Sequence, residues 1–539
     1  MDIPLLSNTD FCGPPNGVDI PGYAPPTTLL TIRDLLSDRA LTVKRPRQQS
    51  PSLIFRLPPE LLAEVFMHAT AEDTPSTFLP MHMHIVVSHV CGLWRAVMMH
   101  APSMWSRVVL HLGGRTKGFR QITNLAKTCF ERSYELPLTL IITSSVFTAS
   151  MIPNLSMDLV LPVRHRIRHL ELALPAVFTE SLFKLPKNSL KSLQSISICA
   201  LVSDREGGWF HSMSALEGAP LLDTVKFRCL HPDNTWQGWR RNYFPSLAIN
   251  PHVAGLPWEQ LTELRLEDLE INCEEALYVL EMATGLLHFT SELRFPEPIS
   301  AVITFTNLAT GLPTPAPAPS AKDRVIAPAL LDLELLIDGW TTAPADFFGR
   351  LILPSLKELS IKYKFRQELL CETLTALQAC SSFSLERFTL VNRAGDSLAP
   401  FLQTNPLLVR LQLAFCSVEL VPLVSALTRR RGGSTPPLLP MLAALTLADR
   451  WAEETPSTTW FRATKAVVDM VRSRWYTQDD ASAARLGSFT FGSRVGMSEK
   501  KVARLDGCRK DGMRYTMVLI SKREFPAVPA DYNLVWGDD

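Results

Sequence analysis

The chain lacks a charge surplus of either sign: 54 Lys+Arg against 53 Asp+Glu leave a net +1 over 539 residues. Affinity for nucleic acid rests on neutralised phosphates and needs a basic surplus, so binding DNA or RNA is not the expected role. No uninterrupted apolar run reaches the roughly 20 residues of a membrane-spanning helix. The most apolar window, Leu136 to Pro153, is broken by Thr139, Thr143, Ser144, Ser145, Thr148 and Ser150. A soluble protein is expected. The opening MDIPLLSNTD has neither the basic start nor the apolar stretch of a secretory signal. Ten cysteines are scattered without a CxxC pair, which argues for reduced thiols in the cytoplasm or nucleus and against a disulfide framework or zinc site. The phosphate loop GxxxxGK[ST], the GxGxxG turn, the HExxH helix and the GxSxG elbow are all missing. His68, His82, His84, His89 and His100 crowd one region, but no Cys or carboxylate set stands alongside them. No metal, no cofactor and no catalytic set is expected.

What is present is apolar side chain, 46% of the total. A chain this long exceeds one hydrophobic core, so two or more structural units are expected. Residues 1–51 divide into a Pro-, Gly-, Asn- and Thr-rich stretch without fixed structure, a helix-patterned piece, LLTIRDLLSDRAL (29–41), and a linker. That linker contains Lys44-Arg45-Pro46-Arg47, which reads as a solvated connector or a nuclear-import patch. Residues 52–112 read as helical, residues 113–525 as short strands at fairly regular intervals, and 526–539 as a tail. A proline-rich loop (312–320) and a basic loop (429–437) interrupt the strand pattern without ending it.

In the helical region LPPELLAEVF (57–66) starts with Pro and Glu60, which suit a helix N-terminus, and continues with an apolar stripe of Leu61, Leu62, Val65 and Phe66. IVVSHVCGLWRAV (85–97) reads as one more helix, with Val87, Val90, Cys91, Trp94 and Val97 along one side, stopped by Pro102 and followed by Trp105. About 50 residues with this much apolar surface do not hide it internally, which points to a partner. The ordered set LPPELLAEVF, VSHVCGLWRAV and PSMW resembles the F-box. The resemblance implies a three-helix module that docks the Skp-type adaptor of a cullin–RING ubiquitin ligase. Carried onto this chain, the contact residues are Leu57, Pro58, Glu60, Leu61, Val87, Val90, Trp94 and Trp105.

From residue 167 a hexad L-x-x-L-x-L recurs: IRHLEL (167–172), LQSISI (193–198), LDTVKF (222–227), LTELRL (261–266) and, more weakly, TSELRF (290–295). It continues with LLDLEL (330–335), LKELSI (356–361), LERFTL (385–390), LVRLQL (408–413), LAALTL (442–447) and LGSFTF (486–491). Successive sixth positions lie between 23 (390 to 413) and 44 (447 to 491) residues apart, in the range of stacked one-strand units. In each strand the fourth and sixth residues share a face and build an apolar spine. Residues 498–513 read as a helix capped by Ser498, with Val502 and Leu505 inward and a stop at Gly512, and RYTMVLI (514–520) as a closing strand. The hexads resemble the leucine-rich-repeat body that often follows an F-box, although the Asn or Cys that follows the hexad in that family is mostly missing. The fold expected is therefore an α/β repeat. An F-box-like module is followed by an irregular leucine-rich-repeat solenoid with one curved, mostly parallel sheet.

The residue between the two spine leucines faces away from the core. Read down the middle hexads, that column gives Lys226, Arg265 and Arg294, with Arg228 and Glu267 beside it. Either these cations form a basic stripe that accepts an acidic or phosphorylated segment, or they belong to a salt-bridge lattice with Glu263, Glu267 and Glu292. Trp236 and Trp239, in an aromatic and basic stretch between hexads, are further candidates for substrate contact. The function expected is substrate recognition for a Skp–cullin–RING ligase. The alternative is a scaffold that uses the same surfaces without a ligase.

Overall fold

A computed structural model of the chain describes residues 53–71, 83–112, 119–144, 155–201, 213–230, 251, 255–295, 324–338, 344–368, 371–394, 398–414, 420–429, 438–449, 457–476, 484–493 and 497–519. The helix-patterned segment 29–41, both loops apart from Arg429, Trp236 and Trp239 lie outside these residues. The chain divides into two units, Met1–Pro58 and Pro59–Asp539. Described in the first is one 3-10 turn, Leu53–Arg56.

The second unit opens with three helices: α1 (Pro59–Ala71), α2 (Met83–Ser88) and α3 (Gly92–His100), followed by the 3-10 turn Pro102–Trp105. A parallel sheet of 14 strands follows. Its first seven are β1 (Arg107–Leu112), β2 (Leu138–Ser144), β3 (Ile167–Pro175), β4 (Ser195–Leu201), β5 (Thr224–Leu230), β6 (Glu263–Asn272) and β7 (His288–Arg294). A short pair, β8 (Val325–Ile326) with β10 (Leu351–Ile352), stands apart. The sheet resumes with β9 (Asp332–Asp338), β11 (Glu358–Glu368), β12 (Arg387–Ala394) and β13 (Arg410–Ala414). It ends with β14 (Ala444–Asp449), β15 (Ser488–Ser493) and β16 (Arg514–Leu519). Each strand pairs with its sequence neighbours in the sheet, so spatial order follows chain order from end to end.

Ten of the eleven hexads fall in frame on these strands. First-position Ile167, Leu193, Leu222, Leu261, Leu330, Leu356, Leu385, Leu408, Leu442 and Leu486 are all buried. The fourth and sixth positions form two further buried rows, in register from Leu170 and Leu172 through Leu264 and Leu266 to Phe489 and Phe491. Burial of these rows is the main stabilising term, at about 25 cal/mol per Å² of apolar surface. From β5 to β14 the residue before each strand of the large sheet also hydrogen-bonds to its counterpart one strand back. Examples are Thr262 N to Asp223 O at 2.8 Å and Leu287 N to Thr262 O at 2.8 Å.

One hexad is misplaced by the sequence pattern. Phe289 and Ser291, not Leu293 and Phe295, stand in register with Leu264 and Leu266, so the frame here is LLHFTS (286–291). Serine occupies a spine position, and a bulge leaves Glu267, Asp268 and Leu269 of β6 without partners on β7. Asp268 turns it with φ +56. The Ser291 hydroxyl is buried and meets no hydrogen-bond partner. Ser291→Ala is therefore expected to raise the unfolding free energy by about 1 kcal/mol, measured by urea denaturation, because an uncompensated buried hydroxyl is removed at little change in volume.

Two strands precede the first hexad that the sequence shows. β1 lies inside the span read as helical, with Val108 and Leu110 in register with Leu140 and Ile142 of β2. At the far end the helix is Glu499–Lys510 and its inward row is Lys501, Leu505 and Cys508. Val502 is half-exposed, and Ser498 occupies the N-cap position without a side-chain capping bond. Gly512 does make the stop, at φ +101.

Among the described residues no helix is long and apolar enough to cross a membrane.

Candidate docking and recognition surfaces

In α1 the apolar stripe divides. Leu62 and Phe66, four residues apart, are buried, whereas Leu61 and Val65 are 53% and 47% exposed. Residues four apart share a helix face, so the second pair forms an open apolar edge. The run 85–97 is not one helix but two. It breaks at His89–Cys91, where Cys91 is extended (φ −158, ψ 171) and Gly92 opens α3. The break is held by Arg95, whose Nε–H donates to Ser88 O at 3.0 Å and satisfies a carbonyl that α2 leaves unpaired. The turn throws Val90 outward, 57% exposed, while Val87 stays buried.

The two tryptophans differ. Trp105 is 3% exposed, its Nε1–H donates to Met98 O at 2.8 Å, and the Arg132 guanidinium lies 4.4 Å from the ring centroid. It stands where other strands carry the first hexad leucine, three residues before Val108. It is therefore a joint between the helices and the sheet. Trp94 is half-buried against Phe66, with ring centroids 4.8 Å apart. Glu60 and Pro58 are exposed and Leu57 is half-buried.

Of the eight expected adaptor contacts, Val87 and Trp105 are thus turned into the protein's own core. Val65, Val86, Leu93 and Met99 are open as well and stand outside the expected set, Val65 being read only as part of the apolar stripe. Six of the fourteen exposed large apolar side chains among the described residues lie between Leu61 and Met99, a concentration unlike that of the other described segments.

On the sheet, the row that contains Lys226 and Arg265 continues to Thr290 and Glu334. Arg294 lies off that row, opposite Asn272 and Asp338, because the frame at β7 is shifted. Every one of the expected cations meets a carboxylate. Lys226 Nζ is 3.0 Å from Glu263 and Arg265 Nε 2.6 Å from the same oxygen. Arg228 Nε lies 3.7 Å from Glu267 and 3.6 Å from Asp268, and Arg294 is 3.1 Å from Glu270. His288 and Asp332 (3.6 Å) and the Lys362–Glu334 pair extend the lattice. A stripe of unpaired cations is not what these strands carry.

Burial alone would raise the Glu263 pKa, but hydrogen bonds from Lys226 and Arg265 outweigh it and hold the carboxyl below its ordinary range. A depressed folded-state pKa contributes stability above the unfolded value, and that contribution is lost as pH falls. Glu263→Gln is expected to cost about 0.5–1 kcal/mol at neutral pH. The variant and wild type should converge in urea titrations as pH drops through the carboxylate range.

Among the described residues no group of three or more His, Cys, Asp or Glu side chains is placed to hold a metal ion. Comparison with protein-family models finds no match, and no curated protein is detectably similar to the chain.

Proposed function

We propose that this chain recognises a target protein for a Skp–cullin–RING ubiquitin ligase, with α1–α3 acting as an F-box-like docking module and the 14-stranded sheet as a leucine-rich-repeat solenoid that holds the target. The observation that carries the reading is the coincidence of two features in one segment. The motif set LPPELLAEVF, VSHVCGLWRAV and PSMW is there, and so are the open apolar side chains Leu61, Val65, Val90 and Leu93. Apolar side chains clustered on a small helical unit mark a protein interface. The transfer chemistry belongs to other subunits, and this chain is the receptor.

For the target surface, the paired lattice on β5–β7 speaks against a stripe specific for phosphate, because an incoming anion would have to displace a carboxylate from each cation. Co-purification tests the reading. Wild-type chain should bring down both the Skp-type adaptor and the cullin, and Leu61→Asp with Val65→Asp should bring down neither. Adaptor without cullin would favour the scaffold, and neither partner with the wild type would discard the docking module.

A further inference from the structure

The two indoles of the helical region differ in one chemical respect. The Trp105 N–H is satisfied within the chain, by Met98 O at 2.8 Å. The Trp94 Nε1 is closed off from solvent and has no hydrogen-bond partner. Its ring is half-buried against Phe66, on the same short helix as the exposed Leu93 and Met99. An indole N–H shut away from both water and an acceptor is costly, and a partner that supplies an acceptor at an interface recovers that cost. Rotation about the bond that joins the ring to Cβ is soft and roughly two-fold. It carries Nε1 from one edge of the ring to the other without moving the backbone.

We propose that docking of the Skp-type adaptor turns the Trp94 indole so that Nε1–H donates to an oxygen acceptor of the adaptor, a main-chain carbonyl or a carboxylate. The inference rests on the docking function proposed above. Trp94 is then a polar anchor that sets orientation within an otherwise apolar contact, and the unsatisfied donor of the free chain becomes part of the driving force for binding.

The test uses the full chain, recombinant Skp-type adaptor and Trp94→Phe, which keeps an aromatic ring and removes the donor. Titration calorimetry should show adaptor affinity about tenfold weaker for the variant, the size expected for one desolvated hydrogen bond. The thermal midpoint of the free variant should be equal to or above that of wild type. With tryptophan labelled by ¹⁵N, the indole signal absent from Trp94→Phe identifies Trp94 among the eleven tryptophans, and it should move downfield on adding adaptor. Equal affinity of both proteins, or an unmoved Trp94 signal in a saturated wild-type complex, overturns the anchor and leaves docking standing. A wild type that does not bind adaptor removes both. If Trp94→Phe does not fold, Trp94→Tyr, which also lacks the indole, supplies the assignment, and the Trp94 signal of the wild type then decides.

Discussion

Trp105→Ala is expected to lower the unfolding free energy by about 3–5 kcal/mol, the largest loss of any single change considered, as read from urea or thermal unfolding. The side chain is 3% exposed and bonded to Met98 O at 2.8 Å, with Arg132 stacked on its face at 4.4 Å. Truncation leaves a cavity at the seam between α3 and β1, orphans the Met98 carbonyl and uncovers the guanidinium. Trp105→Phe separates these effects: it retains most of the packing and should cost about 1 kcal/mol for the lost hydrogen bond. Adaptor affinity of the folded Phe variant should match wild type, because Trp105 faces the protein's own core. A Trp105→Phe protein that is stable yet fails to bind adaptor would return this residue to the docking surface.

The second large effect is on binding. Leu61→Asp with Val65→Asp should weaken adaptor docking at least about a hundredfold, since two apolar anchors at an interface commonly contribute about 2 kcal/mol each. Both side chains are already about half exposed, so the free chain should unfold within about 0.5 kcal/mol of wild type for each change. Binding lost without stability lost is the signature of an interface. The reverse pattern is expected of Leu62→Ala or Phe66→Ala, whose side chains are buried four residues apart on the other side of the same helix.

The strand pattern was legible where spine residues are leucines, because period-two alternation and a fixed first, fourth and sixth spacing are local properties. It was lost wherever a different residue takes a spine position. Trp105 stands in for the first leucine of β1 and Ser291 for the sixth-position leucine of β7, while the bulge at 267–269 removes the even spacing. Leu293 and Phe295 then drew the frame four residues onward, and with it Arg294 into a column to which it does not belong. The charged lattice was half legible. The acids were visible in the sequence, but which cation each one meets depends on strand register, set by side chains tens of residues away. In α1–α3 the composition pointed correctly to surplus apolar surface. The division into open and closed residues depended on the break at Cys91 and on which face meets Trp94, neither of which periodicity reveals.

The most direct test of the account is a calorimetric titration of the full chain with purified Skp-type adaptor, run beside the Leu61→Asp, Val65→Asp protein. The account predicts saturable one-to-one binding with a negative heat-capacity change for wild type, as apolar surface is buried, and no measurable heat beyond dilution for the variant. Wild-type heats at the level of dilution, or equal affinities for the two proteins, would contradict it.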